Sequence, residues 1–126
     1  MLISSIPQYI QGITNAKVDL TTTDNTTLYT VPTDADFNAS VINSIIVHDD
    51  SNNGDTLTVT ITDASANVFQ IFEKSVSGHA TEELLTRDLI LQEGEILKAT
   101  AATADRLHVV ARIQEFAIHR TPQVDL

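Results

Sequence analysis

Few residues in this 126-residue chain have the types and spacing that chemistry needs. Four are histidines, His48, His79, His108 and His119, and none stands at the H-x-x-x-H spacing that puts two imidazoles on one helix face. His48 and His108 each fall in a segment of alternating character. Joined across two strands they would give a metal two nitrogen ligands, half of what zinc usually takes. His79 follows Gly78 in a polar stretch and reads as an exposed contact residue. The run Asp49-Asp-Ser-Asn-Asn-Gly-Asp55 resembles a calcium loop at first sight. Counted from Asp49, however, the third position is Ser51, the sixth Gly54 and the twelfth Thr60, so the bidentate glutamate that closes an EF-hand is missing. A polar turn is the plainer reading, with an adventitious cation site as the alternative.

Nucleophilic chemistry has as little to work with. No G-x-S-x-G is present, and Ser75, Ser77 and His79 are neighbours in sequence without the geometry that defines a triad. Glu82-Glu83 suits a solvated loop edge better than two carboxyls facing across a cleft. The four glycines do not cluster into a phosphate cradle, and the absence of cysteine removes thiolate sites and disulfides. With no tryptophan and few other aromatic residues, a sugar-stacking platform is disfavoured. The expectation is a chain with no catalytic residues, no metal and no cofactor.

Charge narrows the partners. Seventeen acidic residues against seven basic ones give a formal charge of −10, which repels phosphate backbones and anionic lipid, so neither nucleic acid nor membrane is expected as a partner. No lysine or arginine precedes Lys17, so the charged start of a signal peptide is missing. No apolar run approaches the ~20 residues needed to span a bilayer.

The elements that would carry surfaces or sites are strands. Thr56-Leu-Thr-Val-Thr-Ile-Thr62 alternates, with Leu57, Val59 and Ile61 on one face and threonines on the other. Leu107, Val109, Ala111 and Ile113 repeat the pattern opposite His108, Val110, Arg112 and Gln114. These two dry faces are expected to form the core, with Leu57, Val59, Ile61, Leu107, Val109 and Ile113 at its centre. Further strands are expected at Leu28–Val31, Ser40–His48 (covered on both faces), Val68–Phe72, Leu84–Leu91 and Ile96–Thr100, with a weaker one at Lys17–Leu20. Residues 81–86 have a helical turn as the alternative. Asp63-Ala-Ser-Ala-Asn67 is a short connection, and Glu93-Gly94 reads as a tight hairpin in which glycine supplies positive φ. About eight short strands with regular turns predict an all-β, antiparallel β-sandwich of jelly-roll type.

The first fifteen residues differ. Ile6, Tyr9, Ile10 and Ile13 fall at i, i+3, i+4 and i+7, Ser5 is placed to cap, and Pro7 suits a first turn. Residues 1–15 therefore form a short N-terminal apolar arm or helix, and residues 16–126 the sandwich, with an extended tail after residue 116. The arm either closes an end of its own sandwich or packs on a neighbour. In the second case Leu2, Ile3, Ile6, Tyr9, Ile10 and Ile13 are its subunit or capsid contacts.

The order of Thr27-Leu-Tyr-Thr-Val-Pro32, Val41 to Val47, a polar turn, Thr56 to Asp63, Leu89-Ile-Leu91, the Glu93-Gly94 turn and Leu107 to Glu115 resembles small phage virion proteins built as β-sandwiches. Capsid decoration (cement) proteins and tail components are of this kind. The resemblance covers roughly residues 25–116 and is one of strands and turns, without a catalytic signature. It implies a non-enzymatic virion protein made in the host cytoplasm and bound to the outer head lattice. It also implies the major capsid protein or other virion proteins as partners, and a homo-oligomer, with a trimer favoured. A tail or head–tail connector component and a carbohydrate-binding module for host attachment are the alternatives.

Overall fold

The computed structural model describes residues 12–118, and among them the chain forms nine β-strands. They are β1 (Gly12–Leu20), β2 (Thr26–Thr30), β3 (Phe37–Asp49), β4 (Asp55–Thr62), β5 (Val68–Val76), β6 (Thr81–Glu83), β7 (Leu89–Gln92), β8 (Ile96–Ala101) and β9 (Leu107–Ile118). All strand pairs are antiparallel. One sheet, here sheet A, has the order β1-β9-β3-β6, with β7 pairing the other stretch of the same β3 edge; sheet B has the order β2-β8-β4-β5. Taken together, β6 and β7 fill one strand position. The chain thus alternates between two four-position sheets in the order of a jelly roll.

Alternation builds the core. Ile42, Ile45, Val47, Leu107, Val109, Ala111 and Ile113 of sheet A are fully buried against Leu57, Val59, Leu97 and Ala99 of sheet B. Five of the six expected core residues are among them. Ile61 is only partly buried, although it packs on the same cluster. It sits near the end of β4, paired with Phe69 of the sheet's border strand, which is itself exposed.

Several expected elements change form. The strand expected over Leu84–Leu91 is broken: β6 ends at Glu83 and β7 begins at Leu89. At the break the Glu83 carboxylate takes the place of a strand, accepting from the backbone N–H of Ile45 at 2.9 Å and of Leu85 at 3.2 Å. The helical alternative for residues 81–86 gives way to β6. Glu93-Gly94 is a turn, with Glu95 N–H donating to the Gln92 carbonyl and Gly94 at φ +78°. It is not a hairpin, because β7 lies in sheet A and β8 in sheet B. β3 is covered on one face only: Ile46 points outward and is 39% exposed. A bulge at Asn43 keeps Ile42 and Ile45 both inward.

Candidate functional surface

Leu2, Ile3, Ile6, Tyr9 and Ile10 lie outside the described residues, as does the expected tail from His119 on; its first two residues, Ala117 and Ile118, belong to β9. Ile13 does not sit in a helix. β1 already runs from Gly12, so residues 12–15 of the expected arm belong to the sandwich. Strand alternation turns Ile13 outward, where it is 69% exposed.

Register places partners beside it. Ile13 stands opposite Gln114, Gln114 opposite Val41, and Val41 opposite Ile90, making one row across four strands on the outer face of sheet A. The next outward row is Phe116, Ala39 and Gln92, and the next is Ile118 and Phe37. Ile90 is 66% and Phe37 61% exposed. None of these nine side chains is charged, on a chain whose formal charge is −10. From the strand spacing and rise, the tract measures about 14 Å across and about 13 Å along the strands. A groove lined by Phe37, Asn38, Ala39, Gln92 and Glu93 runs along one border. Scattered apolar surface residues are ordinary, whereas a contiguous tract of them marks an interaction site.

Charge returns at the other end of the same face. Asn15 and Arg112 form the first polar row, and at the far end Asp19, His108, His48 and Thr81 line up across β1, β9, β3 and β6. His108 Nε2 lies 3.3 Å from Asp19 Oδ1, and His48 Nδ1 lies 2.8 Å from Thr81 Oγ1. The structure therefore does bring His48 and His108 opposite each other. Each imidazole already has a different neighbour, and among the described residues no group of three or more histidine, aspartate and glutamate side chains is placed to hold a metal. The depression beside His108, lined by Lys17, Val18, Asp19, Val109 and Val110, is shallow.

The 49–55 loop crosses from sheet A to sheet B. Asp49 is fully buried, and its Oδ1 accepts from the backbone N–H and the hydroxyl of Ser51, both at 2.6 Å, while Oδ2 is buried without a partner. His79 N–H donates to the Ser51 carbonyl at 2.9 Å, and Arg106 Nη1 donates to the Gly54 carbonyl at 2.9 Å. A Cβ on Gly78 would lie 2.7 Å from the Asn52 carbonyl, so glycine is required for the two loops to approach this closely. These contacts make the loop a polar turn locked to its neighbours. His79 is exposed, in a left-handed conformation, at the 77–80 turn.

Inside the sandwich one polar cluster ties the sheets together. The Tyr29 phenol donates to Glu115 Oε2 at 2.5 Å and lies 2.8 Å from the Ser40 hydroxyl. Burial, reinforced by Glu115, pushes the phenol well above its ordinary pKa. On the border of sheet A, burial pulls the Glu83 carboxyl upward. The bonds it accepts from Ser44, Leu85, Ile45 and Leu84 outweigh that and hold it below the usual carboxylate range. Sequence reasoning missed both arrangements, as well as the outer apolar tract. The one available signal for the tract was an aliphatic residue, Ile90, at the solvent position of its strand.

No protein-family description matches the chain, and no curated protein does. Among solved structures it is similar to a chain of the virus-like particle of the giant freshwater prawn Macrobrachium rosenbergii extra small virus, at 13% identity and a TM-score of 0.41, covering 98% of this chain and 84% of that one. It is also similar to the CBM22-1 and GH10 modules of a Clostridium thermocellum endo-1,4-beta-D-xylanase, at 10% identity and a TM-score of 0.42, covering 94% and 29%. A third is the Eiger TNF of S. frugiperda, at 11% identity and a TM-score of 0.38, covering 95% and 96%. A virus-particle protein, a xylanase and a TNF share no single activity, and function is not read from likenesses this distant.

Proposed function

We propose that the chain is a non-enzymatic structural protein of a virus particle, a capsid decoration protein of the outer head surface whose partners are the major capsid protein and further copies of itself. The observation that carries this reading is the uncharged tract of Ile13, Val41, Ile90, Phe116, Ile118 and Phe37 on the outer face of sheet A. Such a tract is a surface for protein, and the acidic remainder of the chain keeps nucleic acid and anionic lipid away. The jelly-roll strand order fits the β-sandwich form on which the resemblance drawn above rests. Among the described residues, His48 and His108 lie on the open outer face of sheet A and His79 in an exposed turn, which suits contact better than turnover.

On a capsid many copies bind at once, so modest contacts per copy add through avidity. A closed ring, for which a trimer is the favoured form, limits open-ended growth. Labelling this protein on intact particles tests the role. Label over the whole head lattice is the expected result. Label confined to one vertex or to the tail makes it a connector or tail component instead, and binding on a glycan array with no label on heads makes it a carbohydrate-binding module.

A further inference from the structure

We propose that in the free protein the outer face of sheet A pairs with the same face of a second copy, about a two-fold axis that runs parallel to the strands between β9 and β3. The inference rests on the reading of that face as a surface for protein, and it names the occupant before a head is met. On a head, capsid protein takes the second copy's place.

The face is complementary to itself. A two-fold along the strands lays each row on its own reverse, so β1 meets β6 and β7 of the second copy and β9 meets its β3. Ile13 then comes over Ile90, and Phe116 over Ala39, a large ring on a small side chain. Beyond the apolar tract the match continues. Val110 comes over Ile46, and at the borders of that row Lys17 of β1 comes over Glu83 of β6. An axis across the strands does worse. Centred on the face it lays Ile13 on Asn15 and Phe37 on His48, and centred on the tract it leaves the polar end uncovered. A pair joined by the same patch on both copies closes at two and does not grow.

Charge and area point the same way. The outward positions of the sheet A strands carry Lys17 and Arg112 against Asp19 and Glu83, so this face is neutral on a chain of formal charge −10. Two acidic copies repel least where such faces meet. Four strand positions by the 12 residues of β9 measure about 19 Å by about 40 Å, or roughly 760 Å². A stable interface takes about 800 Å² from each partner, which the whole face approaches and the tract alone does not.

Light scattering on the purified full chain, over a concentration series, reads the mass directly. Twice the chain mass is expected for wild type, falling twofold for Ile90→Asp and, separately, for Phe37→Asp. Both side chains are exposed, and melting curves check that the variants fold. The lack of cysteine allows a test of the axis as well. Ile13→Cys and Ile90→Cys chains, mixed and left to exchange, are expected to form a covalent dimer with a short bis-maleimide at several times the yield of either variant alone. A single-chain mass for wild type throughout would overturn the proposal, the tract then being covered by the chain's own residues 1–11 or by nothing. So would a three-chain mass, an unchanged mass in both folded aspartate variants, or equal cross-linking by Ile13→Cys alone. Heads are absent from these experiments, so the role is judged apart. A pair that never labels heads retains this inference and removes the decoration reading, and a single chain that labels heads does the reverse.

Discussion

Tyr29 and Glu115 are joined across the sandwich by a 2.5 Å hydrogen bond from the phenol of β2 in sheet B to the carboxylate of β9 in sheet A. Ser40 completes the cluster at 2.8 Å from the same phenol oxygen. Eighty-six residues separate the pair, so the contact exists only once both sheets are in place. Tyr29→Phe is expected to lower stability by about 1 kcal/mol, the usual net worth of such a bond. Burial raises the phenol's pKa in the folded chain, with Glu115 reinforcing it. Its contribution is therefore complete below the ordinary tyrosine pKa of about 10 and is lost as pH rises through the higher folded value. Thermal melts from neutral to alkaline pH should show wild type losing more stability than Tyr29→Phe above about pH 10.

Glu83 makes the opposite acid-side prediction. Its pKa is lowered in the fold, so its contribution is present above the unfolded value of about 4.3 and disappears as pH falls through the folded one. Glu83→Ala removes the acceptor of the Ile45 N–H, with an expected cost of about 1 kcal/mol after allowing for the exposure of this carboxylate. Amide exchange at Ile45 should accelerate in the variant at neutral pH. Exchange as slow as in wild type would mean that another group covers that N–H.

Val59 is fully buried, and Thr58 beside it faces outward, opposite Glu73 of β5. Val59→Asp places an unpaired carboxylate in the core and is expected to cost about 4 kcal/mol or more, enough to unfold a marginal domain. Thr58→Lys, which gains an opposite charge across the strand pair, should change stability by less than about 1 kcal/mol. Circular dichroism of the two variants checks this, and a cooperatively folded Val59→Asp protein would reverse the facing of β4.

At the end of the sandwich held by the 49–55 loop, Gly78→Ala drives a methyl group against the Asn52 backbone. A loss of about 1–3 kcal/mol is expected from this overpacking. It should be accompanied by faster amide exchange at His79, whose N–H bonds to Ser51.

Much of the fold was legible because alternation reports burial directly. Leu57, Val59, Leu107, Val109 and Ile113 face one dry interior, as their period of two requires. The break after Glu83 was not legible, because Leu84 to Leu91 is apolar enough for a strand and only tertiary contact reveals a carboxylate standing in for backbone. The Glu93-Gly94 turn showed its glycine but not its destination, since a tight turn can join two sheets as readily as two neighbouring strands. Ile13 continued the helical spacing of Ile6, Tyr9 and Ile10, yet pairing with Gln114 drew it into β1. The apolar tract stayed hidden because its members come from β1, β3, β7 and β9, and only register brings them together.

The role assigned to that tract is most directly tested by co-sedimentation with heads stripped of this protein. Wild type and Phe37→Asp/Ile90→Asp should be compared at equal concentration, after melting curves confirm that both are folded. Wild type is expected to bind to saturation in proportion to the number of lattice sites, and the double variant is expected to remain in the supernatant. Equal binding by the two proteins, or no binding by wild type, would contradict a decoration protein that works through the outer face of sheet A.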